Sequence, residues 1–251
     1  MKMILNEKKY AEALLEGKEL SNKPSTDVYV LVKYYYHLGL SPDDVMDKVM
    51  EFVEEVTGNS KGWKSKIKRS VKTLKDSKLN IVEEVHITKL EMDTILALKN
   101  EPLEKLAFGL LVWLKVHNVA KGKQYEWLNL DNSLSLFRDI QVNRNSVDRE
   151  LMIGTLEELG YVFNSVRSGS CSMKLNYIDL EGEPVLTITS FDDFIMDYYI
   201  YKGSKVIKCK ECGKRVLVKG NKTQYCTECA KEKQREHKRV CAEKTRKNRQ
   251  K

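Results

Sequence analysis

The sequence contains no apolar run that approaches the ~20 residues needed to span a bilayer. Its longest candidate, Leu106 to Val116, is interrupted by Lys115. Met1 to Tyr10 has neither an apolar core nor a small-residue cleavage site, which argues against a secretory signal. The expected compartment is the cytoplasm, where thiols stay reduced, and no membrane partner is expected. There are only four prolines, no internal repeats and no long linker. A phosphate-binding glycine loop, GxSxG and HExxH are all missing, and the four histidines stand far apart with no Cys or Glu at ligand spacing. The acidic pairs Asp43-Asp44 and Asp192-Asp193 open helix patterns and read as capping groups rather than catalytic acids. These absences point away from an enzyme.

What is present is charge. Of 251 residues 32% are charged and 41% apolar, enough of the latter to bury a core without disulfides. The net charge of +8 is unevenly spread. From Gly203 to Lys251 there are 17 Lys and Arg against 5 Asp and Glu, a net +12 that leaves −4 on residues 1–202. The basic C-terminal fifth is where a polyanionic partner is expected.

Helical patterns fill the first 80 residues. Glu7 to Glu16, Pro24 to Tyr36 and the segment after Ser41-Pro42-Asp43-Asp44 carry helix start signals or strong helix formers. Val45, Val49, Phe52 and Val53 form one stripe, and Trp63, Ile67, Val71 and Leu74 another, within a helix predicted from Trp63 to Leu79. The opposite face of that last helix is basic, from Lys61 to Lys78, and reads equally as a phosphate-binding or a solvated surface.

The middle is mixed. Val82 to Ile87 reads as a strand, Thr88 caps a helix to Leu98, and Leu103 to His117 is an apolar helix for the core. Glu126 to Asn129 is a short strand, Leu134 to Ile140 a short helix, and Asn145 caps a longer one to Leu159. Tyr161 to Arg167 and Ser172 to Ile178 then form a hairpin about Ser168-Gly169-Ser170-Cys171. Three helices followed by a hairpin is the order of a winged-helix domain. In it the Asn145 helix would be the recognition helix, with Arg144, Asn145 and Arg149 placed to reach bases. Against that reading, the same helix carries Asp148, Glu150, Glu157 and Glu158, so the fold could equally contact protein. Pro184 to Thr189 is a further strand and Phe191 to Tyr201 a further helix.

The chemistry lies after the short linker Lys202-Gly203-Ser204. Cys209 and Cys212 form one CxxC pair, Cys226 and Cys229 another, with 13 residues between them. In a reducing compartment this spacing points to one zinc ion held by four thiolates. Val206 to Lys208 and Arg215 to Val218 can pair as strands, with Gly220-Asn221 as a turn. With all four corners filled by protein, the zinc would be structural. A redox reading leaves the second pair without a role. Cys171 and Cys241 read as ordinary thiols.

The segment Lys231 to Lys251 holds 10 Lys and Arg against 3 Glu. Lys231, Lys233, Arg235, Lys238, Arg239, Lys244, Arg246, Lys247 and Arg249 are its candidate contacts to phosphates. The CxxCG run at Cys209, the YCxxCA run at Tyr225 and this Lys/Arg/Gln-rich tail together resemble uncharacterised zinc-ribbon proteins of phages and prophages of Gram-positive bacteria. Ile87 to Tyr161 and Glu181 to Thr189 resemble the body of such proteins. The N-terminal helices distantly resemble the helical segment that follows primase domains in mobile-element replication proteins. The resemblance implies a phage or mobile-element setting and a nucleic-acid or host-factor partner, not a reaction.

The expected class is α+β, mainly α. It comprises a helical region (1–80), a winged-helix-like domain (81–202), a zinc ribbon (203–230) and a basic helical or disordered tail (231–251). The function expected is nucleic-acid binding, DNA over RNA, in regulation or replication. The alternative is a protein-interaction module that binds or inhibits a host factor, with the ribbon purely structural.

Overall fold

The computed structural model describes residues 4–249 except 123, 125, 130–132, 168, 169 and 222; the side chains of 133, 166, 167, 170, 171 and 242–249 lie outside the described residues as well. Helix accounts for 56% of the chain and strand for 12%, so the class is mainly helical with small sheets. Contacts divide the chain into two units, Met1–Glu83 with Val116–Tyr125, and Glu84–Lys115 with Glu126–Lys251.

The first unit is built from α1 (Glu7–Gly17), α2 (Pro24–His37), α3 (Pro42–Thr57) and α4 (Lys64–Leu74), the last preceded by a 3-10 turn at Lys61–Trp63. Each start has a local cause. Asn6 and Ser41 accept backbone N–H bonds from Lys9 and Asp44, and Pro24 and Pro42 occupy first-turn positions where no N–H is needed. The stripes read from the sequence are the core: Val45, Val49, Phe52 and Val53 of α3 and Ile67, Val71 and Leu74 of α4 close on Val28, Leu31 and Val32 of α2. α4 ends at Leu74, short of the expected Leu79. Its last apolar core position is Leu74, and the chain then turns so that Val82 N–H can reach the carbonyl of Leu5 at 2.7 Å. One ion pair sits inside this unit. Lys33 donates to Glu7, whose carboxylate also accepts from Asn80 N–H at 2.6 Å, so the buried charge is fully partnered.

The second unit contains α5 (Lys89–Leu96), the first part of α6 (Glu101–Lys121), α7 (Ser133–Asp139), α8 (Ser146–Glu158), α9 (Ile195–Tyr201) and α10 (Thr227–Arg249). Its strands form three small antiparallel sheets. β1 (Val85–Thr88) pairs with β5 (Pro184–Ile188), Val85 opposite Ile188. β2 (Trp127–Asn129), β3 (Val162–Arg167) and β4 (Ser170–Leu175) form a sheet of order β2-β4-β3, with Val162 opposite Leu175 and Leu128 opposite Met173. β6 (Val206–Lys208) pairs with β7 (Arg215–Leu217), Val206 opposite Leu217. The tip expected at Ser168-Gly169, and the side chain of Cys171, lie outside the described residues.

Thr88 starts α5 with a reciprocal capping box: its hydroxyl accepts from Glu91 N–H and the Glu91 carboxylate accepts from Thr88 N–H at 2.8 Å. That buried carboxylate also accepts from Lys115 Nζ at 2.7 Å and from Asp179 N–H at 2.8 Å, tying α5, α6 and the segment after β4 together. In the core Phe108 of α6 packs on Phe194 and Tyr198, and the Tyr198 hydroxyl donates to the buried Glu104 at 2.6 Å. Gly109 brings α6 against α7: a Cβ there would lie 2.4 Å from Ile140 Cγ2. No described helix is long and apolar enough to cross a membrane.

Candidate metal centre

The first CxxC pair lies in a tight turn between β6 and β7. Cys209 N–H donates to the carbonyl of Lys214 at 2.8 Å, and Gly213 N–H returns to the carbonyl of Cys209 at 3.0 Å. Gly213 has φ +71°, a left-handed conformation that costs glycine little and other residues more, so a glycine follows the pair for a steric reason. The second pair opens α10. Cys226 immediately precedes the first helical residue, Thr227, and Cys229 N–H donates to Cys226 Sγ at 3.4 Å. Cys226 therefore acts as a helix cap through sulfur, at the positive end of the helix.

The two turns bring four sulfurs together. The ligand atoms of Cys209, Cys212, Cys226 and Cys229 all lie within 4.8 Å of one another, and Cys212 and Cys226 sulfurs are 3.7 Å apart. A metal with ~2.3 Å bonds to four thiolates has tetrahedral edges of about 3.8 Å, so the cluster fits one ion. Backbone N–H groups of Cys212 and Cys226 hold the Cys209 thiol down to about 6, with Cys226 N–H at 3.2 Å from its sulfur. The N–H of Cys229 lowers Cys226 likewise, whereas hydrogen bonding to the sulfurs of Cys226 and Cys212 raises Cys229. Four thiolates repel when no cation neutralises them, so the cluster cannot lose all of its protons freely without one. A bound metal supplies that charge, which couples binding to proton release. Cys241 stands apart, 3.7 Å from His237 Nδ1 on α10.

No family model, curated protein or solved structure matches this chain. Function must therefore be read from the residues themselves.

The other candidate residues fall on two helices. Arg144 and Asn145 are exposed just before α8, and Asn145 Oδ1 accepts from Asp148 N–H at 2.8 Å as the expected cap. Arg149 is half-buried; it donates to the carbonyl of Arg144 at 3.1 Å and lies 5.8 Å from the Phe137 ring. On α10, Lys231, Arg235, Lys238 and Arg239 are exposed and recur at spacings of four, three and one, which places them on one face. Lys233 differs. It pairs with Glu211 of the cysteine turn at 2.7 Å and lies 5.0 Å from the Tyr225 ring, while Lys214 pairs with Glu228 at 3.1 Å. These contacts bind the first turns of α10 to the cysteine-bearing hairpin. The side chains of Lys244, Arg246, Lys247 and Arg249 lie outside the described residues. Beside the hairpin runs an open groove of about 1030 Å³, lined among others by Lys219, Asn221, Tyr225, Lys231 and Gln234.

Sequence reasoning missed one feature. Arg215 of β7 donates to Asp193 and Asp197, joining the hairpin to α9. Asp193 reads in the sequence as a helix cap, but α9 begins only at Ile195 and the carboxylate is taken by Arg215 instead. Nothing in the spacing of 193, 197 and 215 signals this contact.

Proposed function

We propose that the chain binds nucleic acid, DNA rather than RNA, as a regulatory or replication-accessory protein of a phage or mobile element, with one structural zinc at the four cysteines. The observation that carries the reading is α10. It leaves the cysteine cluster as a helix exposed from Lys231 to Cys241, and its basic row Lys231, Arg235, Lys238 and Arg239 has no ion pair among the described residues. Four soft thiolates filling a tetrahedron favour zinc and leave no open position for catalysis. The metal's role is then mechanical. It fixes the helix start to the β6–β7 hairpin, so the basic row is presented in one orientation. Cations on such a row attract phosphates regardless of sequence.

The order α6, β2, α7, α8, β3, β4, with β2 pairing to β4, supports a winged-helix reading of the centre of the second unit. In that reading Arg144, Asn145 and Arg149 are the residues offered to bases. Val147 and Leu151, 62% and 64% exposed on α8, favour the second reading, an apolar contact with a host protein.

The test is a fluorescence titration of duplex DNA at several salt concentrations. Each phosphate contact contributes about −0.9 to the log–log slope, so replacing Lys231, Arg235, Lys238 and Arg239 by Gln should make it shallower by up to about 3.6. If the intact protein binds neither duplex nor single strands at low salt, the reading fails and the protein-interaction module replaces it.

A further inference from the structure

The first unit carries its own concentration of positive charge. Between Lys61 and Lys78 there are 8 Lys and Arg against a single Asp, whereas residues 1–60 have 7 against 11 acids. The fold uses only one face of α4, through Ile67, Val71 and Leu74. Lys64, Lys68, Lys72 and Lys75 lie exposed along the side of α4 that edges one groove. None of these four has an ion pair among the described residues. Like charges three and four residues apart on a helix repel, so the row destabilises the isolated helix.

The groove beneath the lysines measures about 480 Å³ and is floored by Tyr36, Pro42, Met46 and Val71, with Asp43 as its one acid. The Tyr36 hydroxyl donates to the carbonyl of Val71 at 2.9 Å, which holds the ring in place at the C-terminal end of α2. From Lys64 to Lys75 the helix rises by about 16 Å, in steps of about 6 Å or less. The row thus offers evenly spaced point charges beside an apolar and aromatic floor.

We propose that this groove binds a strand of single-stranded nucleic acid, its phosphates along the lysine row and an unstacked base against Tyr36. An electropositive groove paired with an aromatic surface is the arrangement that holds single strands without reading sequence. Duplex DNA keeps its bases stacked and would leave the floor unused. All four cations lining the groove are lysines, which meet backbone phosphates as point charges, and an acidic peptide has no unstacked base to lay on the Tyr36 ring. The groove shares no residue with α10.

The test measures anisotropy of labelled oligo(dT) and of a short duplex with the full chain across a range of salt. Two variants are compared, one with Lys64, Lys68, Lys72 and Lys75 changed to Gln and one with the α10 row changed to Gln. The groove variant should keep its helical circular dichroism and lose up to about 2.8 from its oligo(dT) slope, at about 0.7 per contact, with a smaller loss on duplex. Tyr36→Leu should weaken oligo(dT) binding about 10-fold through lost stacking, while Tyr36→Phe, which keeps the ring, retains it. Unchanged oligo(dT) binding in the groove variant overturns the proposal. So does an equal loss on duplex, or displacement of oligo(dT) by polyglutamate at equal charge. Failure of the α10 variant alone to weaken duplex binding would count against α10 and leave the groove result intact.

Discussion

Arg215 and Asp193 make a two-point contact: Nε and Nη2 of the guanidinium lie 3.0 and 2.7 Å from the same carboxylate oxygen. Asp197 accepts from Nη1 at 2.7 Å, and Arg215 N–H adds a bond to Asp193 at 3.3 Å. One side chain thus carries the polar link between the cysteine-bearing hairpin and α9. Burial by itself would raise the Asp193 carboxyl, but the bonds from Arg215 and Ser190 outweigh it and hold the group below the usual carboxylate value.

Replacing Arg215 by Ala leaves two part-buried carboxylates facing each other without a cation. The expected loss is about 2–3 kcal/mol of stability, below the cost of breaking a fully buried pair because the three side chains keep some exposure. Because Asp193 titrates lower when folded than when unfolded, its contribution is present above the unfolded value. It fades as pH falls through the folded one. Urea unfolding between neutral and acid pH should show this loss in the native protein and a flatter dependence in Asp193→Asn. Equal acid sensitivity in both would assign the effect to other groups.

Metal content follows from the sulfur geometry. Elemental analysis should give about one zinc per chain, and Cys226→Ser should abolish it, because the mutation removes both a ligand and the sulfur cap of α10. Cys241→Ser, outside the cluster, should retain the metal. Chelation should lower the helical signal through fraying of α10 and release the Lys233–Glu211 and Lys214–Glu228 contacts. Full zinc occupancy in the Cys226 variant would remove Cys226 from the ligand set.

Gly109→Ala should destabilise the second unit despite alanine's better helix propensity. The added methyl meets Ile140 Cγ2 at 2.4 Å and Leu136 Cδ1 at 3.0 Å, and both are buried tips in a packed interface. Overpacking of this kind costs about 1–3 kcal/mol, against about 1 kcal/mol gained from propensity. Thermal unfolding should therefore shift down. Ile140→Ala, which removes Cγ2, should cost less in the Gly109→Ala background than in the native protein, because the added methyl fills part of the space it leaves.

Glu91→Ala removes the acceptor shared by Lys115, Thr88 N–H and Asp179 N–H. It leaves two backbone donors unpaired and a largely buried ammonium without its counter-charge, although Lys115 Nζ keeps the carbonyl of His86 at 2.7 Å, for an expected loss of about 3 kcal/mol. The stability of Glu91→Gln should fall between that of the native protein and Glu91→Ala, since the amide keeps an acceptor but no charge. If Glu91→Gln loses as much as Glu91→Ala, the charge carries the whole effect; if Glu91→Gln matches the native protein, the charge carries none of it.

Most of the features legible in the chain alone are those set by neighbours three or four residues apart. Ser41, Thr88 and Asn145 start their helices because each side chain reaches an N–H within its own first turn. Longer in range and still legible are the two CxxC pairs, which marked the four-cysteine cluster, and the hairpin pairing of Val206 with Leu217. Binary pattern likewise marked the buried faces of α3 and α4, since a stripe at helical spacing can be buried only together. Other outcomes needed the packed structure. Arg215 reaches Asp193 and Asp197 only once α9 lies beside β7, and Asp193 lies before the helix, which starts at Ile195. The groove at Lys64 to Lys75 exists because α2 and α3 supply its floor. Such contacts join residues tens of positions apart, and their free energy depends on packing around them, for which the linear sequence holds no local signal.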